Sequence, residues 1–327
     1  MKDKSKALDL KDKKILHALS GNARLSASKI ASKVGLKKET AVYRINRLFK
    51  ERIVKRVITL INTESLGFTR YELYLQLKSI SQEKENEILK FIEENDMFLW
   101  VVSGLGEYDI LTEFYARDIA EFEKIINEIK NAYGEYIKNL AFSFVLNEYS
   151  FPLKLTGYYT EEPILIKQEK VDIDNQDCMI LNEIANDARK PIVEIAEKLN
   201  LSPDSVIYRI RNLQKKKIIL GYRAVINEKV LNLQKYKLIL KLRSSNEETQ
   251  NKILSFLKSH KATQYIKKCI GGWDFSITLL ANDVQEFRNI IVELKNNLKE
   301  ELESYTALIL FEEHKNTYFP KGILGKF

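Results

Sequence analysis

Two sets of residues in this chain have the types and spacing to do chemistry, and each set occurs twice. The first is cationic. Lys37, Lys38, Thr40, Tyr43, Arg44, Arg47 and Lys50 fall on the outward side of a helix predicted over 38–51, with Arg52, Lys55 and Arg56 just beyond and only Glu39 and Glu51 against them. The second half offers Ser202, Ser205, Tyr208, Arg209, Arg211, Asn212 and Lys215, then Lys216 and Lys217, with Asp204 as the main acid. Such cations suit phosphates, and interleaved Ser, Thr, Tyr, Asn and Arg can reach base edges in a major groove. A lone basic helix is more often simply solvated. The recurrence of this surface in one three-helix context favours contact with double-stranded DNA. The second set is a turn, Gly104-x-Gly106 with Asp109, matched by Gly271 and Asp274. Without a Cβ, backbone can approach a ligand or a partner chain there, and the aspartates could accept hydrogen bonds from a ligand ammonium. Taken alone, such a turn reads better as a hairpin whose Asp satisfies its own backbone.

Both sets belong to a longer repetition. Asp12-x-x-Ile15-Leu16 returns as Asp177-x-x-Ile180-Leu181, an offset of 165 residues. The same offset carries Val42-Tyr43-Arg44-Ile45 onto Ile207-Tyr208-Arg209-Ile210, Ile61-Asn62 onto Ile226-Asn227, and Gly106 to Asp109 onto Gly271 to Asp274. One register held across different pattern types means a duplicated unit.

The elements that must position these residues follow from periodicity. Ile15, Leu16 and Leu19 share one helical face, with Asp12 near the N-terminus, where the helix dipole favours an acid. Ser26 can cap a short helix burying Ile30, Ala31 and Val34, which Gly35 stops; Asn200 takes that place in the second copy. The third helix turns Val42, Ile45, Leu48 and Phe49 inward, and its counterpart opens well, with Ser202, Pro203 and Asp204. This is a helix-turn-helix plan. The period then changes from 3.6 to 2. Tyr71–Lys78 and Tyr236–Arg243 alternate as half-buried strands, followed by helix, strand, glycine turn, strand, helix and strand. The order βαββαβ describes a ferredoxin-like antiparallel sheet with helices on one face, its bare face inviting another such sheet. The fold class is therefore α+β. The expected domains are 1–62 and 171–227 (helix-turn-helix), 63–150 and 228–327 (ferredoxin-like), and a 151–170 linker holding Pro152, Gly157, Pro163 and Thr160-Glu161-Glu162.

Composition agrees. The chain has 327 residues, 45% hydrophobic, and a net charge of +8, which is weak evidence until it is localised. Cys178 and Cys269 have no partners at metal-ligand spacing and suit a reducing cytoplasm, the expected location. The basic segment 1–14 lacks the apolar run of a secretion signal, and no apolar stretch approaches the roughly 20 residues that span a bilayer. No nucleophile–base set, phosphate loop or metal cluster is recognisable, so neither catalysis nor a cofactor is expected.

The ordered set of motifs resembles the leucine-responsive/asparagine-activator (Lrp/AsnC) transcription regulators, over nearly the whole chain and twice. The resemblance implies DNA binding through the helical modules and assembly through the sheet modules. It also implies a small effector, typically an amino acid, near the glycine turns, making Gly104, Gly106, Asp109, Gly271 and Asp274 candidate effector residues. Most members hold one copy. The fusion implies a pseudo-dimer within one chain, able to build higher oligomers and to read unequal half-sites. At most one effector turn is expected to work, because Val101-Val102-Ser103 is apolar whereas Ile266-Lys267-Lys268-Cys269 is charged. Two rivals remain. The sirohaem decarboxylases resemble this two-module architecture and act as unlike pairs, though His17, His260 and His314 have no matched histidines here. An architectural, non-specific DNA-binding protein would share the basic faces.

Overall fold

The computed structural model describes residues 8–154, 164–167 and 170–326. Each copy opens with three helices: α1 (Leu10–Gly21), α2 (Ala27–Val34) and α3 (Lys38–Lys50), then α6 (Asn175–Ala185), α7 (Ile192–Leu199) and α8 (Pro203–Lys215). Their ends form as the residues dictate. Asp9 caps α1, accepting from the Asp12 N–H at 2.8 Å, and Asp12 reaches back to the Asp9 N–H. Ser26 caps α2 and Ser202 caps α8, the latter followed by proline in the first turn. Gly35 and Asn200 stop α2 and α7 in the left-handed region at φ 68° and 53°. One inward assignment changes. Val42 is 37% exposed, and the fully buried Ala41, matched by Val206, takes its place in the core.

A ribbon then binds the copies together. Strand β1 (Val54–Ile61) pairs antiparallel with β7 (Ile219–Ile226) of the other copy. The repeated asparagines close it at both ends: the Asn62 N–H donates to Ile218 O and the Asn227 N–H to Ile53 O, each at 2.8 Å. Each helical module also docks on the opposite strand, through Ala23 N–H to Tyr222 O and Ala188 N–H to Val57 O. The halves are therefore interlocked rather than side by side.

Copy one continues with β2 (Thr69–Leu77), α4 (Gln82–Glu94), β3 (Phe98–Leu105), β4 (Ile110–Ala116), α5 (Ile119–Tyr133) and β5 (Ile137–Ser150). A short strand, β6 (Ile164–Lys167), follows. Copy two has β8 (Gln234–Leu242), α9 (Glu247–Ser259), β9 (Thr263–Gly271), β10 (Phe275–Ala281), α10 (Val284–Asn297) and β11 (Leu302–Asn316). Within each copy this is the expected ferredoxin-like order. The bare faces meet, and the edges are joined as well. β5 pairs with β2 of its own copy and then β9 of the other, while β11 pairs with β8 and then β3. Eight of the described strands thus close into a ring, which removes exposed sheet edges. Serving both sheets makes β5 and β11 14 and 15 residues long, against a usual five or six or so.

Closure corrects the reading of the alternating strands as half-buried. Their apolar side, with Tyr71, Leu73 and Leu75, packs under the helices as expected. Their polar side faces the other sheet, not water. Glu72 is 0% exposed and its counterpart at the 165-residue offset, Lys237, is 1% exposed. The Lys237 ammonium donates to Glu72 Oε1 at 2.9 Å, and Tyr74 stacks on Trp273 at 4.7 Å.

The connector also differs from a plain linker at its described ends. Phe151 and Leu153 are buried; Leu153 N–H donates to Ser20 Oγ, and β6 pairs with β5. Gly157, Pro163 and Thr160-Glu161-Glu162 lie outside the described residues.

Candidate nucleic-acid interface and effector turns

On α3 and α8 the structure divides the expected DNA-facing residues into two groups. Lys37, Lys38, Thr40, Tyr43 and Lys50 are exposed in copy one, as are Ser202, Tyr208 and Lys215 in copy two, with Ser205 and Asn212 half-buried. Tyr43 and Tyr208 occupy matched positions and stand 65% and 70% exposed. Large aromatics so open are poorly explained by packing.

Arg44, Arg47 and Arg209 turn the other way, which corrects the expectation that they lie on the open face. Arg44 donates to Asp9 at 2.7 Å and Asp12 at 2.9 Å, and Arg47 donates to Asp12 at 2.6 Å. Arg209 donates to Asp174 and Asp177, both at 2.8 Å, and to Gln176 at 2.7 Å. The Asp12 carboxylate is almost wholly buried, so these cations neutralise an acid that would otherwise be stranded. The Asp9 carboxyl is held below its ordinary range, first by the Asp12 N–H and then by Arg44. The two most regular repeated motifs, Asp-x-x-Ile-Leu and Tyr-Arg-Ile, thus touch each other and fix the first helix on the third. Arg44→Ala is expected to lower the unfolding free energy by about 1.5–3 kcal/mol, the scale of hydrogen bonds to charged groups. Preferred bases should stay the same. Denaturant unfolding beside a binding-site selection checks both halves of the expectation.

The glycine turns lie along the seams of the ring. Gly106, at φ 140°, is so close to β11 that a Cβ would meet Leu308 Cδ2 at 2.7 Å and Ala307 O at 3.0 Å. Gly271, at φ 125°, faces Phe142 O and Ser143 in the same way. Gly104 N–H donates to Asp109 O at 2.7 Å. Gly106 and Gly271 make the expected close approach, and to the other copy's backbone. Asp109 accepts from the Leu77 N–H at 2.7 Å, and Asp274 from the Leu242 N–H at 2.9 Å. Each carboxylate therefore ties off the end of a neighbouring strand rather than satisfying the backbone of its own turn. Beside them, Leu105 and Ile270 are each 58% exposed at matched positions.

One site was not foreseen. A cavity of about 150 Å³ lies between the ribbon and the ring, lined by Arg70, Glu113, Glu148, Arg223, Lys235, Lys267 and apolar residues of both copies. Arg70 lies within 2.9 Å of Glu148, Lys267 pairs with Glu113, and Lys235 lies between Glu228 and Glu313 at 3.2 and 3.5 Å. Burial opposes the charge on Lys267, but Glu113 and Glu72 outweigh it and push its pKa up. The sequence signal was present: charged residues inside strands whose counterparts in the other copy are apolar, such as Arg223 against Ile58 and Lys267 against Val102. Among the described residues no group of three or more His, Cys, Asp or Glu is placed to hold a metal, and no helix is long and apolar enough to cross a membrane.

Two helix-turn-helix modules with exposed cationic third helices, each leading into a ferredoxin-like sheet, define a regulator-type architecture doubled in one chain. Comparison with known proteins agrees. Residues 8–48 match the AsnC-type helix-turn-helix domain and 173–219 a winged helix-turn-helix DNA-binding domain. The proline dehydrogenase transcriptional activator of Rhodobacter capsulatus is 31% identical over 124 residues, covering 37% of this chain and 79% of that protein. The leucine-responsive regulatory protein of Haemophilus influenzae is 23% identical over 154 residues, 47% of this chain and 92% of its own length. The chain belongs to the Lrp/AsnC family, with the family unit present twice. Among solved structures, the sirohaem decarboxylase NirDL superposes over 94% of this chain and 92% of its own, with a TM-score of 0.63. At 13% identity that likeness concerns the fold.

Proposed function

We propose that this chain is a DNA-binding transcription regulator in the cytoplasm that works as a covalent pseudo-dimer and reads two unequal half-sites. The observation that carries this reading is the pair of exposed faces on α3 and α8, matched at Tyr43 and Tyr208 but unmatched around them. The exposed Lys37-Lys38 stand opposite Ser202-Pro203. A symmetric dimer reads a palindrome because its two faces are identical. Here copy one leans on phosphates and copy two on bases. Family membership supports the regulator's role, and an amino-acid-type effector at one of the turns Gly104–Asp109 or Gly271–Asp274 is part of the proposal. Selection of bound fragments from random DNA, over a salt series, tests it. Two dissimilar half-sites are the expected product. Perfect palindromes would refute the asymmetry, and a flat preference would mark a non-specific architectural protein.

A second reading rests on the whole-chain likeness to a sirohaem decarboxylase. None of His17, His260 or His314 lines the central cavity. Purified protein that binds a tetrapyrrole, with no salt-dependent affinity for DNA, would place this reading first.

A further inference from the structure

The central cavity has matched walls and unmatched chemistry. Leu60 and Val225, Ile61 and Ile226, and Arg70 and Lys235 line it in pairs at the 165-residue offset, so it straddles the axis relating the copies. Glu113, Glu148, Glu228 and Glu313 each lie within 4 Å of Arg70, Lys235 or Lys267. Among the described residues Arg223 has no carboxylate at that range. It is 6% exposed; it donates to Ser150 Oγ at 2.5 Å and to Ser150 O at 3.3 Å, and its buried Nε has no partner. The buried Oε1 of Gln264, another lining residue, also has none. Both residues are held where β5 ends: Arg223 on Ser150, its last residue, and Gln264 through its carbonyl, which accepts from the N–H of the next residue, Phe151, at 3.0 Å. In copy one their counterparts are Ile58 and Leu99, which have nothing to satisfy.

A buried guanidinium without an acid, and a buried amide oxygen without a donor, are each costly unless something fills them. Arg presents a planar fork suited to carboxylate. A void of this size holds a molecule of about six non-hydrogen atoms, since a benzene ring fills one of about 150 Å³. We infer that the cavity binds a small carboxylate, with Arg223 taking the carboxylate and Gln264 accepting a hydrogen bond from a donor on the same molecule. The site is separate from the glycine turns and draws its diverged polar groups from copy two alone.

The test uses the full chain, with L-alanine, pyruvate and L-alanine methyl ester as probes, read by thermal midpoint and by the emission of Trp100, which lines the cavity. L-Alanine should give a saturable response, pyruvate a weaker one for want of a donor to Gln264, and the ester none. Arg223→Met should weaken the L-alanine response by about thirtyfold or more, as loss of one partner of a buried charged pair does. Gln264→Leu, which installs the residue of copy one, should remove the preference over pyruvate and covers the case in which Arg223→Met fails to fold. Silence of the wild type towards all three probes, or a full response in Arg223→Met, overturns the inference. DNA affinity is measured alongside. A protein that binds DNA and ignores the probes refutes the cavity site alone, whereas one that answers the probes and ignores DNA refutes the regulator.

Discussion

Replacing Glu72 with leucine should cost the chain about 3–5 kcal/mol of stability, the range for removing one partner of a buried ion pair. Glu72 is fully buried and accepts from Lys237 at 2.9 Å, Lys267 at 3.2 Å, Ser276 at 2.8 Å and the Trp273 indole N–H at 3.0 Å. Without it the Lys237 ammonium, itself 1% exposed, would have to deprotonate or drag water into the ring. The exchange Glu72→Lys with Lys237→Glu should recover only part of the loss. The pair is restored with its ends reversed, but the new lysine meets Lys267 and leaves the Trp273 indole N–H without its acceptor. Lys267 keeps Glu113 in that variant. Denaturant midpoints of the two single variants and the double variant form the cycle. Additive losses, with no recovery in the double variant, would show that the pair contributes nothing as a pair. The pH dependence has a definite sign. Burial alone would raise the pKa of Glu72, but Lys237 and Lys267 outweigh it and hold the carboxyl far below its ordinary value of 4.5. A carboxylate with a depressed folded pKa stabilises fully above the unfolded value and progressively less as pH falls below it. The wild type should therefore lose stability as pH falls below about 4.5, and Glu72→Leu should show a shallower acid limb.

This pair also explains what fusion permits. Residues 72 and 237 are the same position in the two copies. A dimer of identical units would face Glu with Glu, or Lys with Lys, in a dry interior, and like charges there cannot both ionise cheaply. Only unlike copies can put opposite charges at one such position. Arg70 with Glu148 and Lys235 with Glu313 preserve the symmetric pattern nearby, so the divergence is local.

How much of this was legible depended on the kind of contact. Caps and stops are local chemistry, and Ser26, Gly35, Asn200 and Ser202 could be placed from spacing alone. The 165-residue offset gave the duplication, and periodicity gave each βαββαβ unit. Strand closure was hidden, because alternation reports two faces but cannot say whether the polar face meets water or another sheet. Glu72 and Lys237 look like ordinary solvated residues until the second sheet covers them. Arg44 and Arg209 misled for a related reason. A cation on the outer side of a helix looks free until its acid is found 32 residues earlier, at Asp12 and Asp177. The cavity depends on the ribbon crossing between copies, a long-range pairing that no local pattern encodes.

The exposed faces of α3 and α8 give the second large effect. Tyr43→Ala and Tyr208→Ala should each weaken specific binding by about tenfold to a hundredfold, the 1–3 kcal/mol of a base contact, while the unfolding midpoint stays put. Exposure is the reason for the second half. Side chains 65% and 70% exposed in the free protein have little packing to lose. The copies should then separate on salt. Replacing Lys37 and Lys38 with Ser and Pro, the residues of copy two, removes two phosphate-reaching cations and should flatten the slope of log affinity against log salt by about 1.8. Preference at the second half-site should survive that change intact. The loss from Tyr208→Ala should instead appear as relaxed base preference at one half-site, with the salt slope nearly unchanged. If both changes altered the slope equally and neither relaxed a base preference, the two faces would be equivalent phosphate grips. Asymmetric reading would then have to be abandoned, even with the interior as lopsided as Glu72 and Lys237 make it.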